Sequence, residues 1–565
     1  MIKKDTQTER SENMKILLAA CNAKYIHSNL AVYNLRACVR NTGPEILLRE
    51  YTINQSKDEI LRDLYQNAPD LLCFSCYIWN ISFVRDLMED FSKICPEVPI
   101  WVGGPEVSYD AEQFLGDNPW VAGVMRGEGE QTFKELVLFY DGRSDNGLED
   151  IQGITWCDHQ REIWSTQDRP VMNLDEVPFA YEDLADFEHR IIYYESSRGC
   201  PFSCSYCLSS IDKKLRFRSL DLVKKELQFF LDHRVPQVKF VDRTFNCRHE
   251  HAMEIWRYLL EHDNGVTNFH FEIEADLLTK EELDLMRQMR PGLIQLEIGV
   301  QSTNVKTLQE IRRHVDFDRI SRTVKRIQDM RNIHQHLDLI AGLPFEDLDS
   351  FRKSFEDVYA LRPEQLQLGF LKVLKGSYMC EKTKEYGCVY KSKEPYEVLS
   401  TRWLAYGDIL RLKKVETMVE VYYNSGQFTN TLPELEQYFA NAFDFYESLG
   451  DFYEQKGYDT ISHSRLRRYE ILLEFMESVV CGDSGILKKK MLFDLYLREN
   501  MKNRPKWARD LKPYEREIWA YRKANQVPKT AHLEVEEDGS GYLFDYERRD
   551  PLTHNAKMTK VREWP

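Results

Sequence analysis

The chain has 565 residues, of which 42% are hydrophobic and 30% charged, and a formal charge of −16 at pH 7. That length exceeds a single hydrophobic core and implies about three domains. The acidic balance argues against a protein that simply coats nucleic acid. Thirteen cysteines, an odd number thinly spread, exclude a disulfide scaffold.

The polar start, MIKKDTQTERSEN, is followed by an apolar run (Ile16 to Cys21) too short for a secretory segment. No run of 18 apolar residues predicts a membrane helix, so a cytoplasmic protein is expected. Lys15–Ala20, Glu45–Glu50, Asp70–Ser75, Ile100–Val102 and Val121–Met125 read as strands. Helical stretches Asn29–Arg40 and Asp58–Gln66 lie among them. This alternation predicts a parallel sheet, with ligands beyond the carboxyl ends of its strands. Residues 151–190 read as a linker with a small hairpin-like piece, GITWC…REIWS. A second series follows, with strands near Ile191–Ser196, Gln237–Val241, Asn268–Ile273, Leu293–Ile298, Leu337–Ile340 and Gln365–Leu371. Leu220–Asp232 and Lys280–Met289 are its clearest helices. Six repeats suit a partial barrel. Beyond about residue 380, helices dominate (Glu434–Gln455, Ser464–Val480, Lys488–Met501), and the last forty residues read as loosely ordered.

The stretch SSRGCPFSCSYC places Cys200, Cys204 and Cys207 at C-x3-C-x2-C spacing, directly after a strand. Thiolates are the usual ligands of iron–sulfur clusters, and short spacings let one loop wrap one cluster. Three ligands leave one iron of a four-iron, four-sulfur cluster open to chelate S-adenosylmethionine (SAM). A structural zinc site would want a fourth ligand, for which His189 and Cys247 are the nearest candidates. Single cysteines such as Cys38 and Cys95 read as small buried hydrophobes.

With Tyr206 as the aromatic of C-x3-C-x-aromatic-C, this loop resembles the radical SAM superfamily. Four later segments extend the resemblance over about residues 190–375. VDRTFN, with Asp242, resembles the segment contacting the methionine part of SAM. IEAD resembles the one whose glutamate, Glu274, holds the ribose hydroxyls. GVQS, with Gln301, and DLIAGLP, with Asp338, resemble two further SAM-contacting strand ends, and Arg313 resembles the arginine facing the SAM carboxylate. Singly, Glu274 would read as a solvated strand-end charge and Asp338 as a helix cap.

In this superfamily an α/β domain ahead of the cysteine loop often binds cobalamin. Gly103-Gly104-Pro105 after one strand, and Arg126-Gly127-Glu128-Gly129-Glu130 after the next, resemble that domain. Glycines there let the backbone approach a large corrin closely. The Asp-x-His-x-x-Gly motif that supplies a lower cobalt ligand is absent. His27 is followed by Ser28-Asn29-Leu30, so the resemblance implies corrin without a protein histidine ligand. Methylthiotransferases place a second cluster in this region, and Cys73, Cys76 and Cys21 are candidate thiols. Their apolar context (LLCFSCYIW) reads instead as core or pocket lining.

The C-terminal third resembles the uncharacterised helical domain (DUF4080-like) of one bacterial family of B12-binding radical SAM proteins. Between Lys488 and Lys529, thirteen basic residues face five acidic ones and aromatics are interleaved. Single-stranded RNA binding is one reading of this pattern. A solvated helix face is the favoured one. The expected architecture is α/β: a Rossmann-like cobalamin-binding-type domain at 14–145, a linker at 146–190, a partial (β/α)6 TIM-type radical SAM barrel at 191–378, and a helical C-terminal domain at 379–565. The resemblance implies a 4Fe-4S cluster, SAM and cobalamin as cofactors, and an electron donor such as flavodoxin or ferredoxin. The implied reaction is methyl transfer to an unactivated carbon. Radical cyclisation or rearrangement, methylthiotransfer and a non-catalytic Fe–S or corrin sensor are the alternatives.

Overall fold

The run KILLAACN forms β1 (Lys15–Asn22), buried along nearly its whole length, as a central parallel strand covered on both faces must be. The computed structural model describes residues 14–211, 213–536 and 538–561. Met1–Asn13, on which the expectation of no secretory leader rests, lies outside them. The chain forms two units. One holds the residues up to Ile273 with Ile311–Arg313 and Leu371–Leu399; the other holds Glu274–Glu310, His314–Phe370 and the residues from Ser400 onward.

In the first unit β1 pairs in parallel with β2 (Glu45–Thr52) and β3 (Leu71–Ser75), and β4 (Ile100–Gly103) and β5 (Gly123–Met125) continue the sheet. Helices α1 (Leu30–Cys38), α2 (Lys57–Asn67), α3 (Ile81–Ile94), α4 (Pro105–Ser108), α5 (Ala111–Asp117) and α6 (Gly129–Tyr140) alternate with the strands. α3 lays Val84, Leu87, Met88 and Phe91, one stripe at helical spacing, into the core beneath the sheet. The expected linker hairpin is not separate. β6 (Ile154–Cys157) and β7 (Ile163–Ser165) add to β5 as antiparallel strands, giving the order β2-β1-β3-β4-β5-β6-β7.

The same unit continues with β8 (Ile192–Tyr194), β9 (Ser197–Arg198), β10 (Arg216–Phe217), α7 (Leu220–Asp232), β11 (Gln237–Phe240), α8 (His249–Glu261) and β12 (Asn268–Ile273). β11 pairs in parallel with β8 and with β12. The expected strand over Ile191–Ser196 stops at Tyr194, because Ser196 turns its amide to a side chain described below.

The second unit carries α9 (Lys280–Met286), β13 (Ile294–Gln301), α10 (Val305–Glu310), α11 (Phe317–Met330), β14 (His334–Ala341), α12 (Leu348–Tyr359) and β15 (Gln365–Phe370), with β14 parallel to both β13 and β15. Six strands thus alternate with helices along the chain, as the partial-barrel reading expects. The stretch that returns to the first unit contains α13 (Tyr378–Glu381), β16 (Val389–Tyr390) and the start of β17 (Val398–Ser400).

The remainder of the second unit is mostly helical: α14 (Tyr406–Met418), α15 (Thr431–Glu436), α16 (Ala442–Lys456), α17 (Arg465–Phe475), α18 (Ser484–Arg498) and α19 (Glu515–Ala524). The single helix expected over Glu434–Gln455 is two, and Asn441 starts the second by accepting a hydrogen bond from the Asp444 amide. The described residues of the last forty, which were expected to be loose, are ordered. β18 (His532–Val535), β19 (Gly541–Arg549) and β20 (Ala556–Val561) form an antiparallel meander. Phe544 and Ala556 of the meander pack on Leu492 and Tyr496 of α18, with Phe493 and Trp507 beside them. Several rings of the basic–aromatic stretch are therefore core, which favours the solvated-face reading. Among the described residues no helix is long and apolar enough to cross a membrane.

Candidate functional site

In the first unit the cysteine loop is held from behind. Asp242, just after β11, is fully buried. Its carboxylate accepts the Ser196 amide at 2.9 Å and the Ser196 and Ser197 hydroxyls at 2.6 Å each. Burial lifts its pKa to about 6, and the serine donors work against that rise. Asp242, expected as a SAM contact, also fixes the chain as it enters the loop. β9 then pairs with β10, and Gly199 at φ 93° turns the chain into Cys200.

Cys200 and Cys204 are buried and Cys207 is partly exposed. Cys200 Sγ lies 3.8 Å from Thr244 Oγ1, and Arg313 Nη1 lies 3.9 Å from Cys204 Sγ. Burial raises both buried thiols, while the Arg313 charge opposes the rise at Cys204. Tyr206, between Cys204 and Cys207 on the loop, is partly buried. Among the described residues, the only group of three or more His, Cys, Asp or Glu donors all within 4.8 Å of one another is Glu297, His336 and Asp338. The three cysteine sulfurs are therefore spaced more widely than one tetrahedral zinc requires, since bonds of about 2.3 Å put sulfurs about 3.8 Å apart. Three thiols on one loop, wider than a single ion and beside a cation, fit a polynuclear cluster.

The other expected SAM residues lie in the second unit. Glu274 is buried and directly precedes the short turn Ala275–Leu277. Gln301 ends β13 at φ 69°, after a register shift against β14, and its Oε1 is buried with no hydrogen-bond partner among the described residues. Such a carbonyl, held in a left-handed conformation costly for a non-glycine residue, suits a ligand contact. Asp338, on β14, has Oδ1 3.4 Å from His336 Nε2. Glu346, which the motif reading passed over, is wholly buried behind Gln301. Its Oε1 accepts the hydroxyls of Ser302 at 2.6 Å and Ser354 at 3.0 Å, and burial raises its pKa to about 7. A lone glutamate two residues after a proline carries no local signal of such a role.

Beyond the carboxyl ends of β1, β3, β4 and β5, the first unit encloses a cavity of about 1150 Å³. This exceeds the roughly 300–1,000 Å³ of an ordinary small-molecule site. Gly103, Gly104, Arg126, Gly127 and Glu128, the five residues expected at cobalamin, all line it. So do Tyr193 and Glu195 from the β8 segment, Lys239 and Arg243 around β11, and Glu272 of β12. The glycines differ in role. A Cβ at Gly104, whose φ is 114°, would meet the Cys76 carbonyl oxygen at 2.4 Å, so glycine is needed there for the fold itself. A Cβ at Gly127 would meet nothing within 4 Å, which leaves its backbone open to a ligand. Arg126 is tied to Asp168 at 2.7 Å, and Glu128 to Arg216 at 2.6 Å and the Met172 amide at 2.8 Å.

His27 also lines the cavity, but its Nδ1 lies 2.7 Å from the Tyr193 hydroxyl. Burial lowers its pKa, with Lys24 and Lys239 adding to the effect. Cys76 is fully enclosed and Cys73 is buried at the cavity wall, and burial pushes both thiols well above their ordinary range. That environment disfavours thiolate ligands for a second cluster.

Comparison with known proteins agrees with this layout. The family described as B12 binding domain matches residues 16–137, the radical SAM superfamily matches 194–358, and the protein of unknown function family DUF4080 matches 384–539. The cobalamin-dependent radical SAM methyltransferase TokK of Streptomyces tokunonensis is 26% identical over 350 residues, 58% of this chain and 51% of that protein. The anaerobic magnesium-protoporphyrin IX monomethyl ester cyclase of Rubrivivax gelatinosus is 22% identical over 322 residues, 55% of this chain and 58% of that protein. The chain thus spans about half the length of the curated relatives it matches. The solved structure of the cobalamin-dependent S-adenosylmethionine radical enzyme OxsB, with aqua-cobalamin bound, shares the fold. Its TM-score is 0.61 at 16% identity, covering 86% of this chain and 80% of that one. From the amino terminus onward, successive stretches of the chain match the B12 binding domain, the radical SAM superfamily and DUF4080.

Proposed function

We propose that this chain is a cobalamin-dependent radical SAM enzyme that transfers a methyl group to an unactivated carbon. The observation that carries this reading is the large cavity of the first unit. It is walled on one side by the glycine-bearing ends of β4 and β5, and on the other by residues of the segment that leads into Cys200. When bound, the reduced cluster supplies the electron that cleaves SAM, and the corrin supplies a methyl group in transit. Cys200, Cys204 and Cys207 would hold the cluster, and Arg313, whose Nη1 lies 3.9 Å from Cys204 Sγ, would pair with the SAM carboxylate. Glu274 accepts from the ribose hydroxyls and Tyr206, Gln301 and Asp338 complete the SAM contacts. Asp242 acts behind the loop as a positioning residue. With no Asp-x-His-x-x-Gly motif around His27, the protein would offer a bound cobalt no histidine ligand.

The work is done in the cytoplasm, where a reducing milieu keeps the three thiols available and a flavodoxin or ferredoxin delivers the electron. Ring closure without methyl transfer is the second reading, favoured by the similarity to the cyclase. One assay separates the two. Anaerobically reconstituted protein with reductant, SAM and cobalamin is expected to form both 5′-deoxyadenosine and S-adenosylhomocysteine. Formation of 5′-deoxyadenosine alone supports cyclisation or rearrangement, and formation of neither sinks both readings.

A further inference from the structure

The segment Leu371–Leu399 returns to the first unit and touches two places that matter there. At one end it grips the cysteine loop. Ser205, between Cys204 and Tyr206, donates its amide to the Ile311 carbonyl at 2.9 Å, and its own carbonyl accepts the Met379 amide at 2.8 Å. The Arg312 guanidinium lies 3.6 Å from the centre of the Tyr378 ring, so residues 311–313 and 378–379 hold the loop between them.

At its other end the segment grips the cavity rim. The Tyr396 hydroxyl donates to Glu106, which is buried just after the Gly103-Gly104-Pro105 turn. Lys375 Nζ lies 2.9 Å from Asp110 and 3.4 Å from Glu106. The Ser82 amide donates to Glu394 at 2.7 Å. Gly376, at φ 79°, packs flat on the ring of Tyr109, which lines the cavity; a Cβ there would meet the ring at 2.7 Å. The two limbs are bonded to each other as well, Val373 N–H to Tyr396 O at 3.0 Å and Val398 N–H to Leu371 O at 2.9 Å. A buried carboxylate held by a hydroxyl and an ammonium is a fixed joint, because releasing either donor leaves the charge unpaired in the interior.

We propose that Leu371–Leu399 is a clasp joining the cysteine loop to the cavity rim, so that occupancy of the cavity is transmitted to the cluster. The inference rests on the corrin and cluster assignments above. It gives the stretch at the start of the DUF4080 match a positioning role, exerted through Tyr109 and Ser205.

The test uses full-length reconstituted protein and the rate at which a chelator removes iron, with and without saturating hydroxocobalamin. In the wild type, cobalamin is expected to slow iron loss by about fivefold or more, the low end of ordinary coupling between sites. Tyr396→Phe combined with Lys375→Met should bring that factor close to one in the folded protein, with a lowered thermal midpoint because Glu106 loses both donors, and Lys375→Arg alone should preserve it. Gly376→Ala, which displaces Tyr109, should reduce it independently. Equal protection in the wild type and the double variant overturns the clasp, as does a wild type that binds cobalamin without protection. A wild type that retains no cobalamin takes down the corrin assignment, and the clasp with it.

Discussion

β1 and β13 are both parallel strands of eight residues, and they are built on opposite plans. In β1 the run KILLAACN is buried on both faces, and Leu18 and Asn22 also border the cavity. In β13 the sequence IQLEIGVQ alternates strictly, with Ile294, Leu296, Ile298 and Val300 buried and Gln295, Glu297, Gly299 and Gln301 on the other face. β14 repeats the alternation with His334, His336 and Asp338. A barrel interior is ordinarily filled by branched apolar side chains. A parallel strand with one polar face departs from that plan, and its polar face gathers Glu297, His336 and Asp338 within 4.8 Å of one another. In the N-terminal sheet, by contrast, the cavity lies beyond the strand ends.

That comparison can be broken or sharpened by experiment. The largest effect expected is at the cysteine loop: replacing Cys200, Cys204 and Cys207 together by alanine should take reconstituted iron from about four atoms per chain to none. Cys73→Ala with Cys76→Ala should leave it unchanged, and a halved iron content there would instead support a second cluster. Next is the core strand, where Leu17→Ala should cost about 2–5 kcal/mol of folding stability in denaturant titration. The folded fraction should keep normal SAM and cobalamin affinity. At the start of the second unit the balance should invert. Glu274→Ala should weaken SAM binding by about tenfold or more in calorimetry, since a hydrogen bond to a charged acceptor contributes roughly 1.5–3 kcal/mol.

Glu346 offers a pH-dependent contrast. Its folded pKa, about 7, stands above that of an unfolded glutamate, so the native state holds its proton more tightly. The stability this contributes is fully present below the unfolded value and is lost as pH rises towards 7. Glu346→Gln mimics the protonated form and should remove that slope. Relative to the wild type it should gain about 1–3 kcal/mol between pH 5 and pH 7.5. Parallel stability curves for the two proteins would break the argument. The smallest expected effect is at His27. Its replacement by alanine should leave the electron paramagnetic resonance spectrum of bound cob(II)alamin without axial-nitrogen splitting, as in the wild type.

Much of the site is local in origin and so was visible in the chain. Cysteine spacing, glycine at strand ends and the alternation of β13 and β14 are properties of a few consecutive residues, and each has a direct physical meaning. The apolar runs of β1 and β3 likewise announce a parallel sheet without any partner being known. What only the tertiary structure decided are the links between distant segments. The bonds of Asp242 to Ser196 and Ser197, more than forty residues earlier, are one such link, on which its motif is silent. The hairpin at Ile154–Ser165 looked like a linker because its partner strand, β5, is distant in sequence and very short. The polar last forty residues looked loose because their meander finds its apolar cover on α18. The hold of Leu371–Leu399 on Glu106 and Ser205 was equally hidden, since hydrogen bonds between remote segments leave no period in the sequence. Local chemistry determined which residues are able to act; long-range hydrogen bonding and burial decided which of them face a ligand and which hold the others in place.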